Sequence, residues 1–268
     1  MSVPARLPRR HPARPPRAPT RHRRTPMNDP APVTLTVTEP LARLTLDRPA
    51  HGNALSYAAM LALIEALERA HAADPPVLLL TGAGQDLTVG REKAERVPGV
   101  SRQENLRLIL RANELLRTFP GITVAAVRGR ALGFGTGLAL HSDLAIAADT
   151  AVLGFDELAA GLPPLVVLTY LYRHVHPKAA DELVLTGRRL GAAEALNLGL
   201  LSRVVAEADL DAVVERTVAE LGARSPSALR LLKEFAGRAK SHRPPDPEEF
   251  GEHAVARLVE WIENGERS

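Results

Sequence analysis

A chain of 268 residues, 45% of them hydrophobic, is long enough for one large domain or two small ones and can bury a sizeable core. It has no cysteine, which excludes disulfides and thiolate metal sites, and its longest apolar runs fall well short of the roughly 18 residues of a membrane span. The net charge of +3 hides an asymmetry: residues 1–26 hold eight arginines and no acid, so the remainder carries an excess of about five acids.

That first segment, with seven prolines among its arginines, has too few large apolar side chains to fold alone. Residues 1–32 are expected to be a disordered tail, with Met27 the expected true start of translation. A functional basic arm, and with it any nucleic-acid partner, is the less favoured reading. The N-terminus lacks the apolar stretch of a signal peptide, and a cytoplasmic location is expected.

Regular patterns begin at residue 33. "VTLTV" and "LARLTL" alternate apolar and polar residues as half-buried strands do, with "EP" between them as a hairpin turn. "RPAHGNALS" reads as loop, and Ser56 is placed to cap a helix to about residue 72, with Met60, Leu63, Ile64 and Leu67 on its apolar face. "PPVLLLTG" is a short buried strand, followed by a long loop through residue 100 and an amphipathic helix over 101–119. "ITVAAV" is another buried strand, followed by a glycine cluster and a helix, and "DLAIAA" and "AVLGF" read as two further strands. From about residue 164 helices dominate, apart from the strand-like "LSRVV". Short apolar strands separated by helices predict α/β packing around a mostly parallel sheet. The Pro-rich "SHRPPDPEE" at 241–249 sets off a last helix, and residues 241–268 are expected to cover the core or a neighbouring subunit.

The glycine cluster is the first chemical signal. In "RALGFGTGLALHSD" (130–143) Gly133, Gly135 and Gly137 alternate at the start of a helix. A dinucleotide loop would read G-x-G-x-x-G with an acid after the following strand, and this stretch does not fit that pattern. Close helix–strand packing is a structural explanation. A third reading is a helix N-terminus offering free N–H groups to a developing anion, such as a thioester oxygen becoming an enolate.

A second stretch, "LLLTGAGQDLTVGREK" (78–93), repeats the theme: a buried strand, a glycine turn, then Gly90. Together these two stretches resemble the oxyanion-hole motifs of the crotonase, or enoyl-CoA hydratase/isomerase, family. "LDRPAHGNALS", the central block from "AAVRGRALGFGTG" to "GFDELAAGLPP", and "ADELVLTGRRLGAAEALNLGLLSRVV" are similar to further family motifs in the same order, over residues 33–240.

The resemblance implies a spiral of ββα turns with a helical C-terminal part, a homotrimer or a dimer of trimers, and a coenzyme A thioester as ligand, with no metal and no cofactor beyond the coenzyme A of the substrate. It places the two oxyanion N–H donors on Arg91, after Gly90, and Phe134, after Gly133. It sets Leu87, Val89, Gly90, Lys93, Gly133 and Gly137 along the substrate, and makes Lys93, Arg91 and Lys233 candidates for the coenzyme's phosphates. Asp143 corresponds to a structural aspartate of the family.

The departures narrow the chemistry. Hydratases of the family use two glutamates. The first position is Gly137 here, and the second is Glu157. Hydration needs one group to activate water and another to protonate carbon, whereas moving a double bond can be done by one acid/base that takes a proton at C2 and returns it at C4. Gly137 with Glu157 therefore favours isomerisation, with Glu157 as the catalytic group. Alternatives are a hydratase using His141 or Glu92, and a non-catalytic acyl-CoA-binding homologue. Glu92 stands where aspartate is usual and Leu87 where phenylalanine is usual. Pro164 stands at the position of a dehalogenase nucleophile and argues against that chemistry.

Overall fold

The computed structural model describes residues 31–240. The expected basic tail, apart from its last two residues, and the expected C-terminal helix lie outside the described residues. The chain opens with β1 (Val33–Thr38) and β2 (Leu41–Leu46), an antiparallel hairpin. Helix α1 (Tyr57–Ala73) follows, its first turn capped by Ser56, whose hydroxyl accepts from the Ala59 N–H. Next come β3 (Val77–Gly82), a long loop, and α2 (Arg102–Arg117), which starts in a Ser101–Glu104 capping box. Then β4 (Ile122–Val127), β5 (Arg130–Leu132) and α3 (Phe134–His141) run almost without a break. The remaining elements are β6 (Leu144–Ala148), β7 (Val152–Gly154), α4 (Leu165–Leu171), α5 (Pro177–Thr186), β8 (Arg189–Gly191), α6 (Ala192–Asn197), β9 (Arg203–Val205), α7 (Leu210–Gly222) and α8 (Pro226–Ala239).

The larger sheet has the order β1-β2-β3-β4-β6-β9 and is parallel from β2 onward. The smaller sheet is β5-β7-β8, with β5 and β7 parallel. Chain order makes the spiral visible. A strand of the large sheet leads to a short strand of the small one and then to a helix, as in β4–β5–α3. The turn from β3 to α2 follows the same path, with Thr88 bridging in parallel to Ala131 in place of a full strand.

Side chains alternate between the two faces of the large sheet, so each face has its own apolar layer. Leu78, Leu80, Ala125 and Val127 face α1, α2 and α3, while Leu79, Val124, Ile146 and Ala148 face α7 through Leu210, Val214 and Val218. With both faces covered, the parallel strands read as continuous apolar runs. The strands expected from those runs are present. Two others, β5 and β8, are not expected from the sequence: each has only three residues, too few to show a period. Among the described residues no helix is long and apolar enough to cross a membrane.

Candidate active site

Gly90 and Gly133 bring two distant stretches into contact. Gly90 has φ +88°, and a Cβ there would lie 2.5 Å from the Leu132 carbonyl oxygen and 3.6 Å from the Phe134 nitrogen. Only a glycine lets the loop after β3 press this closely against the junction of β5 and α3. Hydrogen bonds fix the loop from several sides. The Leu87 N–H donates to Arg128 O at 2.8 Å, the Leu132 N–H to Thr88 O at 3.0 Å, and the Leu55 N–H to Gly90 O at 2.9 Å. Thr88 Oγ1 accepts from the Gly90 N–H at 2.9 Å and donates to Asn53 O at 2.6 Å. Asn53 is buried, and its Nδ2 donates to the carbonyls of Ala83 and Asp86 at 2.9 and 2.7 Å. The conspicuous "HGNAL" of the sequence thus serves as a clamp on the loop.

The result is two unoccupied donors. Neither the Arg91 N–H nor the Phe134 N–H donates to any acceptor among the described residues. Phe134 is the first residue of α3, where the N–H has no intrahelical partner and the helix dipole favours negative charge. Both residues line one cavity of about 310 Å³, together with Val89, Gly90, Lys93, Gly133 and Glu157.

Glu157 follows β7 and lies directly over Gly133. A Cβ on Gly133, where φ is +53°, would come within 2.8 Å of Glu157 Oε1. Oε2 is buried without a hydrogen-bond partner among the described residues. The residue precedes a short 3-10 turn, Leu158–Ala160, but its side chain makes no capping bond there. Burial raises its carboxyl above the usual range, partly opposed by a hydrogen bond from its own backbone N–H and then by the Lys93 ammonium nearby. Lys93 Nζ is itself paired with Asp156 Oδ1 at 2.5 Å.

Four of the expected ligand-side residues go elsewhere, the first being Gly137, which is buried on α3 against the Tyr170 and Phe134 side chains and does not line the cavity. Arg91 Nη1 donates to the carbonyls of Leu55 and Ser56 at 2.8 and 3.1 Å, and Nη2 binds Asn105 Oδ1, so its guanidinium is committed to the starts of α1 and α2 rather than to a phosphate. Leu87 is fully buried in the core beneath the loop and does not line the cavity. Lys233 lies outside the cavity, its Nζ donating to Gly121 O at 2.8 Å and pairing with Asp143 Oδ2 at 2.7 Å. It joins α8 to the ends of β4 and β6, where Asp143 also accepts from the Thr123 N–H. The cationic side chains at the cavity are Arg91, Lys93, Arg96 and Arg102, of which Arg96 and Arg102 are the less buried.

Neither alternative acid is placed for chemistry. Glu92 lines the cavity but is paired with Arg48 Nη1 at 2.8 Å. His141 donates from Nδ1 to Gly137 O at 2.7 Å, the carbonyl being able only to accept. Its burial holds its pKa down at about 4.

Tyr170, on α4, carries no mark in the sequence. Its ring packs edge-on against His141 at 4.5 Å, and its hydroxyl lies 2.8 Å from where a Cβ on Gly137 would be. The room left by the missing first glutamate is therefore filled from another helix. Leu106, Ile109, Leu162 and Val166 complete an apolar wall.

Comparison with known proteins agrees with this geometry. Residues 36–256 match the family model described as enoyl-CoA hydratase/isomerase. A Thermus thermophilus protein named "Putative enoyl-CoA hydratase" is 37% identical over 202 residues, covering 73% of this chain and 79% of its own. Among solved structures, an enoyl-CoA hydratase from Mycobacterium smegmatis superposes with a TM-score of 0.79 at 28% identity, covering 86% of this chain and 90% of its own. A "putative enoyl-CoA hydratase" from Thermobifida fusca, solved in complex with CoA, gives a TM-score of 0.75 at 35% identity, covering 87% of this chain and 95% of its own. With two glycine-built donors and a buried carboxylate on a crotonase-type spiral of strands and helices, the chain belongs to the enoyl-CoA hydratase/isomerase family.

Proposed function

We propose that the protein moves the double bond of an unsaturated acyl-CoA thioester through an enolate, with Glu157 as its single acid/base. The observation that carries this reading is the buried Glu157 carboxylate against Gly133, its Oε2 without a hydrogen-bond partner among the described residues, in the same cavity as two backbone N–H groups that donate to no acceptor among those residues, with no second carboxylate at Gly137. In this mechanism the thioester oxygen sits between the Arg91 and Phe134 N–H groups. Glu157 removes a proton from C2, and the C2–H electron pair enters the conjugated system as charge moves onto the oxygen. The same proton then returns at C4, leaving the double bond between C2 and C3. Each backbone donor stabilises the developing charge by about 3 kcal/mol. Burial suits the carboxyl to both halves of the transfer, since a raised pKa makes it a better base when ionised and a ready acid afterwards.

Hydration through His141 or Glu92 gains no support from their positions, because one is bound to Gly137 O and the other to Arg48. The hydratase names of the relatives keep hydration as the second reading. A panel of 2-enoyl and 3-enoyl thioesters with product identification separates the two. In the same assays Glu157→Gln should lose about 10² to 10⁴ in turnover while its affinity for a saturated acyl-CoA changes by less than about threefold. Undiminished turnover in that variant would refute the assignment of Glu157.

A further inference from the structure

Gly137 and Tyr170 are a pair matched in size. Gly133 and Gly137 are one turn apart at the start of α3, the Gly137 N–H donating to Gly133 O at 3.2 Å. Side chains at both would project from one face, about 6 Å apart along the helix. Each position is covered from elsewhere instead. Glu157 Oε1 stands 2.8 Å from where a Cβ on Gly133 would be, and the Tyr170 hydroxyl 2.8 Å from where one on Gly137 would be. A carboxylate and a phenol thus stand in a row along one face of α3. Tyr170 lines the cavity and Gly137 does not, so the phenol is the surface that a ligand meets at this level. Its ring is braced edge-on by His141 at 4.5 Å, and His141 is tied to Gly137 O.

This row bears on the fate of the product. The isomerisation proposed above ends in a 2-enoyl thioester, whose C3 is open to water. In that addition the water oxygen bonds to C3 as one of its O–H bonds breaks, and the C2=C3 electron pair shifts toward the thioester oxygen. C2 then gains a proton. Protonated Glu157 can supply that proton, but the proton leaving water needs a second base, and water needs room beside Glu157. The other acids that line the cavity are engaged: Glu92 with Arg48, and Glu95 with the Tyr57 N–H at 2.6 Å. We infer that Tyr170 is a specificity-determining residue, a phenol filling the place next to Glu157 where water would be activated, so that the 2-enoyl product leaves without being hydrated. Burial, and then the charge of Glu157, push the phenol well above its ordinary range, so it stays protonated and takes no proton from water. Ile109, Val166 and Val167 in the same wall offer water no side-chain hydrogen bond. The assignment rests on the isomerisation reading, and the test below separates the two.

Two assays on the full chain test it: isomerisation of 3-hexenoyl-CoA, and hydration of 2-butenoyl-CoA read as 3-hydroxybutyryl-CoA by chromatography. Gly137→Glu adds a second carboxylate, but its Cβ meets the Tyr170 hydroxyl, so hydration should rise by less than about threefold. Gly137→Glu with Tyr170→Ala supplies both base and room and should hydrate about 10² times faster than the parent, more than the product of the two single effects. Where that double variant fails to fold, Tyr170→Ala alone decides: added formate, a small base for the vacated space, should raise its hydration about tenfold and leave the parent's unchanged. Hydration by Gly137→Glu equal to that of the double variant overturns the inference. So does a folded double variant that isomerises but hydrates no faster than the parent, or Tyr170→Ala without a response to formate. All three leave isomerisation standing. A parent that hydrates 2-butenoyl-CoA faster than it isomerises 3-hexenoyl-CoA overturns both. A parent inactive in both assays, with a double variant that hydrates, supports the role of Tyr170 and overturns isomerisation alone.

Discussion

The cavity has two sides built by different means. The corner proposed to hold the thioester oxygen is backbone: Gly90, Gly133 and the two N–H groups that follow them, held by a dense set of main-chain bonds to β5, β7 and the start of α1. The opposite side, the proposed acyl side, is made of side chains: Glu157, Tyr170 and an apolar wall from α2 and α4. A backbone site tolerates exchange of the side chains it carries, so Arg91 can commit its guanidinium to Asn105 without leaving the corner. A side-chain site changes its chemistry with each residue, and the departures from a two-glutamate hydratase lie on that side. The fixed geometry and the variable chemistry are thus separable within one cavity.

That division predicts that a single methyl group does far more harm at the corner than on the acyl side. Gly90→Ala places a Cβ 2.5 Å from a backbone carbonyl, at a φ of +88° that L-residues rarely adopt. It should destabilise the fold by several kcal/mol and remove a donor besides, lowering turnover by about 10³ or more; urea melts and single-turnover rates measure the two parts. Gly137→Ala meets side chains rather than backbone, the Tyr170 hydroxyl at 2.8 Å and Phe134 at 3.8 Å, in an ordinary helical conformation, and should cost about 1–3 kcal/mol in the same melts. Equal losses in the two variants would erase the distinction.

The same asymmetry explains what the sequence reveals. Gly90 and Gly133 are legible because a strained backbone restricts the residue type to glycine, and Glu157 because it stands at a fixed offset from that pattern. Tyr170 is hidden: nothing at residue 170 marks it, and its place in the cavity depends on α4 folding back over a glycine 33 residues earlier. Arg91 and Lys233 are expected at the phosphates only because their positions resemble those of the family's motifs. Their actual partners, Asn105 and Asp143, are set by tertiary packing. The large sheet is legible from its buried apolar runs, whereas β5 and β8 are too short to show a pattern.

Two buried titratable groups on the acyl side give a smaller, pH-dependent effect. His141, with its folded pKa at about 4, sits below the ordinary histidine value. Its neutral burial is therefore fully compatible with folding above about pH 6.5 and is penalised as pH falls toward 4, because the unfolded chain takes up the proton more readily. Glu157 works in the opposite sense. Its raised pKa means that the folded state holds the proton more tightly, so stability is present below the ordinary glutamate value and is lost as pH rises through the folded pKa. Glu157→Gln should accordingly raise the melting temperature at pH 7 and lose that advantage near pH 4. His141→Gln should flatten the decline in stability between about pH 6.5 and 4. Thermal melts at the two pH values test both, and a stabilisation by Glu157→Gln that grows as pH falls would contradict the burial argument.

The smallest expected effect is the most specific one, because it tests whether the charged pair at the cavity tunes Glu157. Lys93 and Asp156 are bound to each other, each about one quarter exposed, so solvent weakens their influence. Lys93 favours the ionised form of Glu157 and Asp156 disfavours it. Lys93→Met removes the favourable charge and leaves Asp156 unopposed, so both changes push the Glu157 pKa up. The acid limb of the kcat/KM profile, which follows ionisation of the free enzyme's base, should move to higher pH. Asp156→Asn leaves Lys93 unopposed and should move the limb to lower pH. The double variant should return it close to the parent's position, since the two charges act on one carboxylate with opposite signs. Shifts of the same sign in both single variants would mean that the loop's position, not its charge, controls Glu157.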